Sequence, residues 1–376
     1  MKTKWKIFWL FLILFVIFIL FLFFLSQLNS DGDNKISLFE KENRIFSKKE
    51  IFESKNEVKT EIKTEVLNED IQIVFCPSND CFEVYKNTIN LAQNEIVCAF
   101  YEFDFLNLSN VLKEKSNNGI KVSIITDNDY LKEVAITNLN NTNIDIFSDI
   151  DRGTRYDNYM HHKFCVIDSK ILILGSANPT NNDFLKNNNN ILKINSKYLA
   201  ENYRAEFYEM KSASFGYNKH STLMYNNLTL SFENKSYLVS SYMCPQDACE
   251  RRVLEILNKS NSSIDFAAFS FTNDNIENML ALKSNEGVLV RGVVEKRSWN
   301  IQGSNASELA KEFFLINDTN KNTMHHKFFI VDNRWVITGS MNPTSAGVNY
   351  NDENILIIES EKIASIYSEE FEKLIN

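Results

Sequence analysis

The chain repeats itself, and the repeat leaves little freedom for the fold. The segment "FCPSNDCFEVYKNTINLAQNEIVCAFYEF" (residues 75–103) is matched by "MCPQDACERRVLEILNKSNSSIDFAAFSF" (residues 243–271). Cys76 aligns with Cys244, Cys81 with Cys249 and Gly119 with Gly287, each at an offset of 168. Further on, "MHHKFCVID" (160–168) returns as "MHHKFFIVD" (324–332), at an offset of 164. All four prolines pair off as well, Pro77 with Pro245 and Pro179 with Pro343. A sequence self-similar over this length folds as two like units packed about an approximate two-fold axis.

Each half predicts the same order of elements. An apolar strand leads into a helix. A buried strand follows ("EIVCAFYEF", "SIDFAAFSF"), then a helix ending near Gly119 or Gly287, then "KVSIIT" or "VLVRGVV". After a variable stretch come the histidine strand, a partner strand ("ILILGS", "WVITGS"), another strand near 190–195 or 354–359, and a terminal helix. Continuous apolar strands alternating with helices predict an α/β protein: two pseudo-symmetric α-β-α sandwich halves, each with a mixed, mostly buried sheet. The expected boundaries are 69–213 for the first half, 214–236 for a connector and 237–376 for the second half.

Ahead of the repeat the chain changes character. Lys2, Lys4 and Lys6 precede an unbroken apolar run from Ile7 to Leu25. That run is long enough to span a bilayer, and no Lys or Arg follows it before Lys35. The expectation is one transmembrane helix at 7–25. Residues 1–6 would then be cytoplasmic, 26–68 a polar stalk, and the rest extracytoplasmic. "FFLSQLNS" offers no small-residue cleavage pattern, so an uncleaved anchor is expected over a signal peptide. The chain carries a formal charge of -9, which argues against a broad basic face for duplex DNA.

The repeated phrase carries the chemistry. The whole chain has five histidines, and four of them lie in its two copies. Strand alternation sends His161 and Lys163 to one side and His162 to the other, and likewise His325 and Lys327 against His326. His162 and His326 are therefore expected as buried, hydrogen-bonded structural residues. Adjacent strand residues diverge, so no metal site is expected from the "HH" pairs. Each phrase runs on to Asp168 or Asp332 and then to "GSAN" or "GSMN", which supply Ser176 and Asn178, Ser340 and Asn342. Lysine ammoniums, asparagine amides and serine hydroxyls suit a phosphate group, and imidazole can serve as nucleophile or acid near neutral pH.

These residues in duplicate resemble the HKD signature of the phospholipase D superfamily, and the repeat resembles its two-lobed arrangement, over roughly residues 70–376. The resemblance implies metal-independent phosphodiester chemistry through a covalent phosphohistidine, with no cofactor. It implies that His161 attacks phosphorus, that His325 protonates the leaving group and then activates water, and that Lys163, Lys327, Asn178 and Asn342 hold the non-bridging oxygens, with Ser176 and Ser340 as further donors. Asp168 and Asp332, of opposite parity, are expected to stabilise the motif. The family places a carboxylate beyond each motif. Glu353 fits behind His325, while the matching position for His161 is Asn189, which suits His325 to carrying the proton.

A phospholipid is the favoured substrate, with a membrane-anchored extracytoplasmic nuclease acting on single strands as the alternative. Phosphatidyl transfer or an inactive binding protein ranks lower. Arg152, Arg155, Tyr156 and Tyr159 before the first motif suit either a head group or a nucleic acid. Both half-sites lie in one chain, so no dimer is required. Two local disulfides are expected, Cys76–Cys81 and Cys244–Cys249. Cys98 and Cys165 align with Phe266 and Phe329. Both positions change type together, so they are expected to touch, with buried thiols preferred over a third disulfide.

Overall fold

The structure, a computed structural model, describes residues 62–78, 80–149, 158–301 and 303–376. Sixteen strands run through these residues. In the first half they are β1 (Lys63–Val66), β2 (Gln72–Cys76), β3 (Glu95–Phe100), β4 (Lys121–Thr126), β5 (Asp145–Ser148), β6 (Lys163–Ile167), β7 (Ile171–Gly175) and β8 (Asn189–Ile194). In the second they are β9 (Leu228–Phe232), β10 (Lys235–Cys244), β11 (Ser263–Ala268), β12 (Leu289–Val294), β13 (Phe314–Asn317), β14 (Lys327–Val331), β15 (Trp335–Gly339) and β16 (Glu353–Glu359). One sheet has the order β2-β8-β7-β6-β3-β4-β5, and the other β1-β9-β10-β16-β15-β14-β11-β12-β13. The second repeats the first strand for strand from β10 to β13.

The two sheets differ at one edge. β1, from a stretch expected to be stalk, pairs parallel with β9, from the expected connector, and β9 pairs antiparallel with β10. Among the described residues the first sheet has no counterpart of this pair. In "LTLSF" Leu228 and Leu230 are buried and alternate with Thr and Ser, while in "KTEV" Thr64 and Val66 are exposed, which fits an edge with one solvated face.

The expected membrane-spanning element needs correction. Among the described residues no helix is long and apolar enough to cross a membrane. The run 7–25 lies outside them, as do residues 1–6, most of the stalk, and Arg152, Arg155 and Tyr156. The architecture described is the two-sheet α/β body alone.

Side-chain alternation sorts each strand between two cores. In β3, Val97 and Ala99 face a core shared by the two halves, and Ile96, Cys98 and Phe100 face an outer one. The shared core takes Phe164 and Leu192 from one sheet, and Phe328 and Leu356 from the other. The helices Lys197–Lys211 and Glu361–Ile375 add Tyr203, Phe207, Tyr367 and Phe371 to it. Ser196 and Ser360 cap these two helices at matching positions, each accepting from a backbone N–H at 3.3 Å. The helices Asp80–Asn90 and Leu106–Asn117 cover the first sheet's outer face through Val84, Tyr85, Leu108 and Leu112.

Three disulfides are present. Cys76–Cys81 and Cys244–Cys249 each join a strand end to a helix start. The third, Cys98–Cys165, corrects the preference for buried thiols. Its cysteines face each other directly across β3 and β6, and sharing an outer, water-free face brings the sulfurs within bonding range. The matching pair Phe266 and Phe329 occupies the same register across β11 and β14, with rings stacked at 5.6 Å. A covalent bond in one half thus stands where an aromatic contact stands in the other. Replacing Cys98 and Cys165 together by alanine is expected to lower stability by about 2–4 kcal/mol in urea unfolding under non-reducing conditions, since the bond closes a long loop of the unfolded chain.

Gly175 ends β7, and the backbone of β8 fills the place where its side chain would stand. A Cβ there would sit on the backbone carbonyl of Asn190, and one at Gly339 on that of Asn354. The missing side chain lets Ser176 N reach Asn190 O at 3.0 Å, which sets the height of the strand end at Asn189. Gly175→Ala is expected to cost about 1–3 kcal/mol in the same measurement, because the clash is with backbone and has no rotamer to relieve it.

Candidate active site

The reactive histidines stand just ahead of β6 and β14, where the backbone of each motif meets the opposite half. His161 N donates to Asp352 O at 2.9 Å, and His325 N donates to Asn188 O at 2.8 Å. Met160 bridges Asp352 and Asn188 bridges Met324 as isolated parallel pairs. Each histidine is therefore held by the other half's last strand. Both are 8 % exposed, so only a ring edge reaches solvent. They line one cleft of ≈ 460 Å³ together with Tyr101, Glu102, Tyr159, Asn178, Asp183, Phe269, Arg297 and Asn342.

The partners of these histidines are crossed. His161 Nδ1 lies 2.7 Å from Glu353 Oε1, and His325 Nδ1 lies 2.9 Å from Asn189 Oδ1. The expected assignment of Glu353 to His325 and Asn189 to His161 is thus reversed. The physical cause is the dyad: β8 and β16 each end against the opposite motif, so position 189 serves the second histidine and position 353 the first. With Nδ1 engaged in both rings, Nε2 is the nitrogen left for the cleft.

The lysines sit behind the histidines. Lys163 Nζ donates to His161 O at 2.7 Å, and Lys327 Nζ to His325 O at 2.8 Å. Each ammonium lies 5.1 Å from the centroid of an aromatic ring, Tyr101 or Phe269, and each ring also meets the histidine edge-on at 4.6 or 4.7 Å. Burial pushes Lys163 down to about 8. Burial and the charge of Lys163 hold Lys327 well below the usual lysine range. Burial, then the lysines, depress both histidines, with His325 pushed down to about 4. Burial pushes Glu353 up to about 7 against the pull of Lys163. Two buried lysines thus place positive charge directly behind the two imidazoles.

The remaining expected residues separate clearly. Asn178 and Asn342 line the cleft. Ser176 and Ser340 are fully buried, and their place is behind it. Ser176 Oγ donates to Asn189 Oδ1 at 2.9 Å and accepts from Asn190 N at 3.0 Å, and Ser340 Oγ accepts from Asn354 N at 3.0 Å. Their hydroxyls orient the histidine partners and line no part of the cleft wall. Asp168 and Asp332 stand at the far strand ends, seven residues and roughly 20 Å from the histidines. Asp168 accepts from the backbone of Gln93, Asn94 and Glu95 at 2.8 Å each, and Asp332 from Asn261, Ser262 and Ser263.

His162 and His326 are fully buried. His162 Nε2 lies 3.1 Å from Glu206 Oε1, with Asn354 Nδ2 3.0 Å from its Nδ1. His326 Nε2 lies 3.3 Å from Glu370 Oε1. Glu206 also holds the buried Lys219, which donates to Asp352 at 3.0 Å. This ionic network fixes the strand end that carries His161's backbone acceptor.

Several cleft residues escape a motif-based reading. Tyr101 and Phe269 were detectable as a repeat pair directly after matching strands. Glu102 is pushed up to about 7 by burial and by the neighbouring carboxylates of Asp183 and Asp104. Arg297 is held by the buried Glu295 at 3.0 Å. Asp183 lies 3.5 Å from His325. None of these last three has a like residue at its repeat position.

Known proteins resemble this chain in sequence and in fold. The family described as "Cardiolipin synthase, PLD-like domain" matches residues 85–211 and again 253–375. Mitochondrial cardiolipin hydrolase of Homo sapiens is 35% identical over 124 residues, 33% of this chain and 49% of that protein. Phospholipase D of Rickettsia typhi is 29% identical over 130 residues, 34% of this chain and 64% of that protein. The chain thus spans less than two thirds of either relative. The solved structure of phosphatidylserine synthase from Haemophilus influenzae superposes with a TM-score of 0.58 at 14% identity, over 81% of this chain and 86% of that one, a likeness of fold. With both halves matched by one family and both motifs facing one cleft, the chain belongs to the PLD-like family, the phospholipase D superfamily.

Proposed function

We propose that the protein is a phosphodiesterase that hydrolyses a phospholipid through a phosphohistidine on His161. The observation that carries the reading is the pair of imidazoles facing one cleft, each fixed at Nδ1 from the opposite half. Glu353 takes the Nδ1–H of His161, which leaves the Nε2 lone pair for phosphorus. As the Nε2–P bond forms, the P–O bond to the alcohol breaks, and His325 gives its Nε2 proton to that oxygen. Water then attacks phosphorus, His325 takes a proton from it, and the Nε2–P bond breaks to release the phosphomonoester. Lys163 and Lys327 supply positive charge behind the phosphorus, and the Asn178 and Asn342 amides border it.

Relatives named cardiolipin hydrolase and phospholipase D support a phospholipid over other diesters. Three disulfides support an oxidising, extracytoplasmic setting for the catalytic body.

The test is a parallel assay of the protein on phospholipid vesicles and single-stranded oligonucleotides, with and without chelator, against His161→Ala. Phospholipid turnover that survives chelator and falls by at least about 10³-fold in the variant is expected. Cleavage of oligonucleotides alone overturns the lipid reading, and phosphate trapped on His325 reverses the two roles. The pH profile adds a second check. Lys163 is charged below about 8 and neutral above it, so kcat/KM is expected to fall as pH rises through that value, as attraction for the anionic diester is lost.

A further inference from the structure

The repeat is least symmetric behind its proton-bearing nitrogens. At an offset of 164, Asn189 stands where the other half has Glu353, so the strand end behind His325 lacks a carboxylate. At the same offset, Asp183 stands where the other half has Gly347. The first half has thus lost one carboxylate and gained another six residues earlier. The second half has no space for the same exchange, because a Cβ at Gly347 would sit on the carbonyl of Asn342.

We propose that Asp183 is the positioning carboxylate of His325, supplying from the short helix Asn181–Leu185 the negative charge that Asn189 cannot. This rests on the reading of His325 as proton donor. The geometry is specific. Asp183 is 4 % exposed, and its Oδ2 lies 3.5 Å from His325 Nδ1, the nitrogen that Asn189 Oδ1 meets at 2.9 Å. The carboxylate is held in place by Asn178 N at 2.8 Å, Asn178 Nδ2 at 3.0 Å and Asn187 Nδ2 at 2.8 Å.

The charges facing His325 are Lys327 on its own strand, Lys163 from the other half and Asp183. Both lysines oppose a proton on the ring, and Asp183 favours one. Although burial alone would raise its pKa, Asp183 is held well below the usual carboxylate range, with His325 the first of the opposing causes. It is therefore ionised throughout the working range. Asn189, whose Nδ2 finds no hydrogen-bond partner among the described residues, orients the ring without charging it.

A buried aspartate that merely anchors Asn178 would look similar in a stability assay, so the test reads the proton. The full-length protein with ¹⁵N-labelled histidine has five imidazole rings to assign. Asp183→Asn is expected to move the His325 titration to lower pH by at least about one unit and to leave His161 within a few tenths. Turnover of an alkyl phosphodiester should fall at least about tenfold. Turnover of a p-nitrophenyl diester, whose leaving group needs no proton, should change little. Adding Asn189→Glu to Asp183→Asn, which restores a carboxylate at the Glu353-like position, should recover the alkyl rate and the titration.

An unmoved His325 titration overturns the proposal. So does an equal loss on both esters, or a double variant that regains neither rate nor titration. A lowered melting temperature with an unmoved titration assigns Asp183 to structure alone. Wild-type protein that turns over no phosphodiester refutes the functional reading instead, and the titration then decides the Asp183–His325 coupling by itself.

Discussion

The exchange of strand ends across the dyad is the constraint on which the rest depends. Asp352 and Asn188 each accept from the backbone of the opposite motif, and Glu353 and Asn189 then meet the opposite imidazole. Neither half can form its own site. Separating the halves would strip both histidines of their Nδ1 partners and expose a shared core built from both sheets. Catalytic geometry and the packing of the whole body are thus one arrangement, and the buried His162–Glu206–Lys219–Asp352 network ties the two together. Removing one member of such a network leaves a buried charge unpaired, which is more costly than never having built it.

Electrostatics explains why the site is assembled in so dry a place. Two lysines and two histidines are gathered with two carboxylates close to the rings, Glu353 and Asp183. Burial pushes the first of these up to about 7, while against burial His325 and the hydrogen bonds from Asn187 and Asn178 hold the second well below the usual carboxylate range. Burial and the lysine charges hold both imidazoles below the usual histidine range, and burial makes each ammonium give up its proton more readily than a solvated lysine. An anion bound between them would stabilise each lysine and histidine in its cationic form. In a low-dielectric cleft that response is large, and it couples anion binding to protonation of the imidazoles.

Much of this was legible in the sequence, for a physical reason. Strand parity divides His161 from His162, because alternation is a property of any strand. The motif glycines, serines and aspartates recur at fixed spacing because each answers a backbone demand. Gly175 permits the close approach of β8, and Asp168 ties down the turn before β3. Even the Cys98–Cys165 contact was readable, since the pair changes type together with its counterpart, although whether the sulfurs were bonded was not. What a repeat cannot reveal is which half completes which site. It equates 189 with 353, but equivalence under a two-fold axis is silent on whether a residue serves its own motif or the other. That ambiguity produced the inverted assignment of Glu353. The β1–β9 edge was hidden for a simpler reason, as four residues at the end of a polar segment carry too weak a period to stand out.

The same crossing gives the asymmetry its meaning. Were partners local, losing the carboxylate at 189 would weaken His161, and gaining Asp183 would aid a residue that had lost its support. With partners exchanged, both changes act on His325, although both fall in the half that does not contain it. Drift within one half is thereby felt at the other half's histidine, and the two imidazoles can specialise while their own motifs stay alike. Identical phrases in the chain are compatible with unequal chemistry because what distinguishes the histidines is contributed from across the axis.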